Sequence, residues 1–302
     1  MTKQTKADFM LLTVTLFWGV SYWLIDISLA EVGPFALNAL RFLVAFFIAV
    51  IIAFPKLKTV DKTTIKYSAV IGFALLFVYI GATFGVKYTS LSNAGFLCAL
   101  TVVITPLLSY IVLKQQPGKK LAVVVVMCLV GIALLSLKEN LRPALGDIFC
   151  ILAAFAYAVD LLITEIAVTR KQANAFQLGV FQLGFTGLFN LIISLAAETP
   201  ALPHSLKAWT AVLFLSVFCT GAAFIVQALA QQYTSASHVG VIFSLEPVFA
   251  GIVAFFLAGE ILSVRAYIGA ALLVSGLFIM ELDIRKLVTG FAKLLRMIMK
   301  KF

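Results

Sequence analysis

The sequence predicts an all-α polytopic membrane protein, with ten transmembrane helices arranged as two inverted five-helix repeats. Three observations predict it. The 302-residue chain is 63% hydrophobic and only 12% charged, whereas a soluble domain is closer to half apolar and a quarter charged. Its apolar residues fall in runs of about 20, the length of a helix that crosses the hydrocarbon core. One long stretch also occurs twice. Tyr88 to Leu137 aligns with Tyr233 to Leu282 at a constant offset of 145. Tyr88-Thr89-Ser90 matches Tyr233-Thr234-Ser235, Ser92 matches Ser237, Gly95 matches Gly240 and Gly131 matches Gly276. Shorter matches precede it: Phe35-x-Leu37 with Phe176-x-Leu178, and Asp26 with Glu165. Each copy holds five spans, and five is odd, so the second copy enters the membrane from the opposite side.

In chain order the spans are 9–30, 34–54, 67–86, 92–113, 121–137, 146–167, 174–197, 208–230, 237–258 and 263–282. Polar, turn-rich breaks separate them, among them Gly33-Pro34, Pro55 to Lys66, Gln115 to Lys120 and Thr199 to Lys207. Each span is expected to be helical, because lipid offers no partner to open backbone groups. The first apolar run follows Lys3 and Lys6 but lacks a clear cleavage site, and reads as a retained span. Of the 23 Lys and Arg residues, 17 fall on the side that holds the N-terminus and five on the other, with Arg41 inside a span. That bias places both termini in the cytoplasm of a cell (inner) membrane protein. The boundaries are 1–140 for the first repeat, 141–283 for the second and 284–302 for a basic amphipathic tail. In the tail, Ile284, Leu287, Val288, Phe291, Leu294, Leu295 and Ile298 share a helical face, which suits a helix lying on anionic lipid.

The composition also excludes. The net charge of +10 sits in loops and tail, so nucleic acid is not an expected partner. Cys98, Cys128, Cys150 and Cys219 all lie in apolar spans without a CxxC, which supports neither a metal site nor a disulfide framework. No cofactor is implied. Inverted repeats are typical of secondary transporters, with the site near the midplane between copies.

The chain also resembles the drug/metabolite transporter superfamily, as a member with two EamA domains. The residues that carry the resemblance are Phe17-Trp18-Gly19, Leu40-Arg41-Phe42, Tyr88-Thr89-Ser90, and Leu245-Glu246-Pro247 followed by Glu260. It covers about residues 9–282. The sequence departs from the family at Lys114-Gln115-Gln116, where the first copy often carries an acid. The resemblance implies a ten-helix transporter of a small organic solute, without fixing which solute. Together with the polar stripes, it places spans 1, 3, 4, 6, 8 and 9 around a central cavity.

Polar residues at helical spacing mark that cavity. Trp18, Tyr22 and Asp26 run along span 1, Tyr157 and Asp160 along span 6, and Gln227 along span 8. Thr101 lies on span 4, Tyr79 on span 3 and Glu246 on span 9. The expected cavity set is Trp18, Tyr22, Tyr79, Thr101, Tyr157, Asp160, Gln227 and Glu246. Asp26, Arg41, Glu246 and Pro247 are expected in gating or coupling. Asp26 and Arg41 lie toward one end of their spans, where a structural salt bridge or a gate is preferred over solute contact. Glu246 is the strongest single candidate: a carboxylate at mid-span costs roughly 2.5–3.5 kcal/mol, and two readings stand, proton coupling or solute binding against shaping span 9. Pro247 removes a backbone donor beside it and makes a hinge. His238 reads as a packed polar residue. The expected function is a secondary transporter of an amino acid, related metabolite or drug-like compound, with export the favoured direction and protons the candidate coupling ion. A polytopic membrane enzyme, a passive channel and a non-transporting sensor are the rivals.

Overall fold

The computed structural model describes residues 2–89, 91–136, 145–258 and 263–281. The basic tail lies outside the described residues, as does Glu260. The elements are α1 (Lys3–Leu29), α2 (Pro34–Leu57), α3 (Lys62–Tyr88), α4 (Leu91–Cys98), α5 (Thr101–Leu113), α6 (Lys119–Ser136), α7 (Leu145–Glu165), α8 (Ala175–Ala197), α9 (Leu206–Phe214), α10 (Ala223–Ala230), α11 (Ala236–Phe243), α12 (Glu246–Ala258) and α13 (Val264–Glu281). A π-helical turn, Ile166–Arg170, follows α7, and a longer one, Leu215–Ala222, joins α9 to α10. Among the described residues no strand occurs. Among the described residues, seven helical stretches are long and apolar enough to cross a membrane: Lys3–Leu29, Pro34–Leu57, Lys62–Tyr88, Leu145–Arg170, Ala175–Ala197, Leu206–Ala230 and Ala236–Val253. Thr101–Leu113 and Val264–Met280 are shorter apolar helices. The protein is an integral membrane protein built of helices.

The helix starts follow from the sequence. Thr2, Asp61, Asn174, Ser205 and Ser235 each accept, through a side-chain oxygen, the amide three residues on, and so cap α1, α3, α8, α9 and α11. Pro34 opens α2, where its missing N–H is no loss. The Glu198 carboxylate accepts the next two amides, Phe35 N at 3.2 Å and Ala36 N at 2.9 Å. Near its other end α2 leaves helical geometry at Ala53, two residues before Pro55.

Polar contacts between loops define two faces of the bundle. On the face where α1 ends, here the far face, Glu31 accepts His204 N at 2.7 Å, Ser205 N at 3.0 Å and the Ser205 hydroxyl at 2.5 Å. Glu198 bonds α2 on the same face. On the near face, where α1 begins, Gln177 Nε2 donates to the carbonyls of Lys56 and Thr59, and Asn174 N donates to Thr64 Oγ1. Between the faces, the most extensive packing is α3 on α7, α2 on α8 and α6 on α13. Small residues permit it. A β-carbon added at Gly81 of α3 would lie 2.5 Å from Phe149 O and 2.7 Å from the Ala153 side chain on α7.

The fourth and ninth apolar stretches are each broken in two. The α4–α5 break falls at Ala99–Leu100 and the α11–α12 break at Ser244–Leu245, which are corresponding positions in the two sequence copies. At both, three-residue hydrogen bonds tighten the backbone: Val102 N to Ala99 O and Val103 N to Leu100 O in one, Leu245 N to Ile242 O and Val248 N to Leu245 O in the other. Pro247 sits in the first turn of α12, directly after its break. Pro106 lies inside α5, and the helix breaks seven residues before it, at the position shared with the other copy.

Candidate functional site

A cavity of about 600 Å³, counting its open mouth, lies at the two helix breaks. Glu246 opens α12 beside it and Thr101 opens α5 beside it. Trp18, Ser21, Tyr22 and Ile25 line it from α1, Val78, Tyr79 and Ala82 from α3, and Arg41 from α2. Cys98, Ala153, Tyr157 and Phe224 complete the wall. On α1, α2 and α3 the lining residues lie in the middle and far half of the helix, so the cavity reaches from the midplane toward the far face.

Five aromatic side chains, Trp18, Tyr22, Tyr79, Tyr157 and Phe224, stand in the wall. The Trp18 ring lies 5.7 Å from that of Tyr157, 5.8 Å from Phe224 and 4.7 Å from Phe243. Tyr79 packs edge-on against Phe42 at 4.6 Å. The π-helical stretch Leu215–Ala222 supplies the polar anchors behind these rings. Trp18 Nε1 donates to Cys219 O at 2.9 Å, and Arg41 Nε donates to Thr220 Oγ1 at 2.8 Å. Such turns leave carbonyls and hydroxyls off the regular helical ladder, where neighbours can use them.

Six of the eight residues expected at the cavity line it: Trp18, Tyr22, Tyr79, Thr101, Tyr157 and Glu246. Asp160 and Gln227 do not line it but connect to it. The Tyr157 hydroxyl donates to Gln227 Oε1 at 2.7 Å, and Gln227 Nε2 donates to Asp160 Oδ2 at 3.0 Å. Gln231 Nε2, in turn, donates to Leu161 O at 2.8 Å. This string runs from the cavity toward the near face, and Asp160, Gln227 and Gln231 are all buried.

Two further contacts close the near side. Asp8 and His238 are both buried and pair at 3.3 Å between α1 and α11. Glu165, at the end of α7, accepts the amide of Ala236, the first residue of α11, at 2.7 Å and Gln115 Nε2 at 3.3 Å. The sequence marks His238 as a packed polar residue and gives no such sign for Asp8.

The contemplated Asp26–Arg41 salt bridge is absent from the structure. Asp26 is exposed and has no polar partner among the described residues, whereas Arg41 is buried and turns into the cavity wall. Arg41 lies deeper from the far face than Asp26, and the two side chains turn to different surroundings. Among the described residues, no three His, Cys, Asp or Glu side chains converge as a metal site would need.

The EamA-like transporter family model matches residues 5–137 and again 144–282. An uncharacterized transporter of Archaeoglobus fulgidus is 31% identical over 283 residues, covering 93% of this chain and 88% of that protein. The uncharacterized transporter YetK of Bacillus subtilis is 24% identical, covering 92% and 87%. A crystal structure of a protein with 18% identity superposes with a TM-score of 0.78, over 94% of this chain and 99% of that one. That likeness shows a shared fold.

Proposed function

Because the chain belongs to the EamA-like transporter family, we propose that it is a secondary transporter, carrying a small organic solute by alternating access through ten spans in two inverted copies. The observation that carries this reading is the cavity at the two matched helix breaks, walled off from the near face and extending toward the far one. Irregular backbone at membrane depth is tolerated where it lines such a cavity.

The packing supports the two-copy reading. In it, α1, α2, α3, α4–α5 and α6 correspond to α7, α8, α9–α10, α11–α12 and α13. Exchange of the copies turns the α3–α7 contact into the contact of α9 and α10 with α1, and turns α4 and α5 on α7 into α11 and α12 on α1. The α2–α8 and α6–α13 contacts map onto themselves. The Lys and Arg bias supports a cytoplasmic near face.

Two matched carboxylates supply a switch. Glu165 closes α7 and holds the first amide of α11 on the near face. Its counterpart Asp26 stands free near the end of α1 on the far face, where α4, the counterpart of α11, begins at Leu91. In the alternate state Asp26 caps α4 and Glu165 releases α11. A carboxylate at a helix N-terminus gains from the amides and from the helix dipole, so each latch favours its own closed side.

Glu246 faces the cavity beside Tyr22 and is read as the proton-coupling group. The test is a metabolite screen in everted vesicles, with and without an imposed proton gradient, using wild type and Glu246→Gln. A solute should cross faster than in empty vesicles, and the gradient should lose its effect in Glu246→Gln. If nothing crosses faster than in empty vesicles, the transporter reading fails. If Glu246→Gln keeps the gradient dependence, the coupling role fails.

A further inference from the structure

Arg41 and Arg265 are the two Lys or Arg residues within the apolar spans drawn from the sequence. Arg265 sits at the very edge of its span, whereas Arg41 lies well inside, and among the described residues its charge has no counterion. Its side chain is 1% exposed. Nε is taken by the Thr220 hydroxyl, and Cζ lies 4.8 Å from the centre of the Tyr79 ring and 5.9 Å from that of Phe42. These contacts orient the guanidinium and favour a cation, but none brings a negative charge. Nη1 is buried with no hydrogen-bond partner. Among the described residues no carboxylate lies within ion-pair distance of Arg41, and Asp26 stands apart and exposed. A buried, unpaired charge is costly, and this one borders the cavity.

We propose that Arg41 binds the carboxylate of the transported solute, with the rest of the solute apolar or aromatic and lying against Trp18, Tyr157 and Phe224. A carboxylate presents two oxygens in one plane, which match the two terminal nitrogens of a guanidinium whose Nε is already occupied. The ring faces suit an apolar body. A single cation balances a single negative charge, so a phosphate dianion would leave charge uncompensated in the wall. The assignment rests on the transporter reading for its meaning, but binding is measurable apart from flux.

Purified protein in lipid nanodiscs is titrated with phenylacetate, phenylalanine, phenylalaninamide and 2-phenylethylamine while thermal melting is followed. The two carboxylates should raise the melting temperature, and the amide and the amine should not. In Arg41→Gln the apparent affinity for both carboxylates should fall by about tenfold or more, since a charge-assisted bond is lost. Arg41→Lys, which keeps the charge and loses the fork, should recover part of it. Equal effects of acid and amide, unchanged carboxylate affinity in Arg41→Gln, or no response of the wild type to either carboxylate would each overturn the proposal. If Arg41→Gln does not fold, the acid-against-amide comparison in the wild type decides alone. Vesicle flux separates the two claims. Transport of a carboxylate-free solute without carboxylate binding sinks the Arg41 assignment and leaves the transporter reading. Binding through Arg41 with no flux of any solute does the reverse.

Discussion

Glu31 is a single side chain that ties the α1–α2 loop to the start of α9. Hydrogen bonds from the Ser205 hydroxyl, then from the Ser205 and His204 amides, hold its carboxyl below the ordinary value of 4.5. A group depressed on folding contributes stability above its unfolded pKa and loses it as pH falls through the folded one. The tie should therefore be intact at neutral pH and weaken only below about pH 4.5. Melting curves of wild type and Glu31→Gln should differ at pH 7 and converge as the pH is lowered; a constant gap would argue against the tie. At this scale the sequence was legible where chemistry was unusual. Aromatic and acidic residues at helical spacing inside apolar spans point to the cavity, and five of them, with Thr101, line it. For Arg41, helical spacing gives depth and not rotation about the axis, so its place in the cavity wall does not follow from the sequence. Asp8 was missed because its partner, His238, is 230 residues away in the chain.

Single elements show where local rules end. The shared break of α4–α5 and α11–α12 has a proline in one copy only, so proline marks this feature without being its common cause. Hydropathy reads straight across both breaks, since the residues there are apolar and the interruption lies in backbone hydrogen bonding. The close approach of α3 to α7 was equally silent in the sequence, where Gly81 is one glycine among 19. Gly81→Val should drive a side chain into Phe149 O and Ala153 and lower stability by roughly 1–3 kcal/mol, measurable as a lower melting temperature. A variant that melts like the wild type would mean the two helices can part without cost. Glu165 offers a second test. Glu165→Ala should loosen the start of α11, seen as faster hydrogen exchange of the Ala236 and Ser237 amides than in wild type, while the far-face amides of Phe35 and Ala36 stay protected by Glu198. Uniformly faster exchange would indicate general loosening rather than a latch.

For the whole molecule, the direction in which the cavity faces sets which thiols are reachable. Cys98 borders the cavity and is partly exposed, while Cys128, Cys150 and Cys219 are buried. A small membrane-impermeant thiol reagent added on the far side should modify Cys98, and Cys98→Ser should abolish the reaction. Persistent labelling in Cys98→Ser, or labelling only from the near side, would contradict the cavity's orientation. The bundle itself was readable from apolar run length and the sequence repeat, because both follow from the demands of lipid on backbone polar groups. The partners of each helix were not, because apolar faces carry little information about which apolar face they meet. The structure shows that the largest surfaces, α3 on α7, α2 on α8 and α6 on α13, all join one half of the chain to the other. Neither half keeps its main contacts to itself. The covalent link near residue 140 is then a matter of delivery more than of architecture. Two separately synthesised pieces, 1–140 and 141–302, should each be degraded when made alone in a cell and should purify as one stable complex when made together.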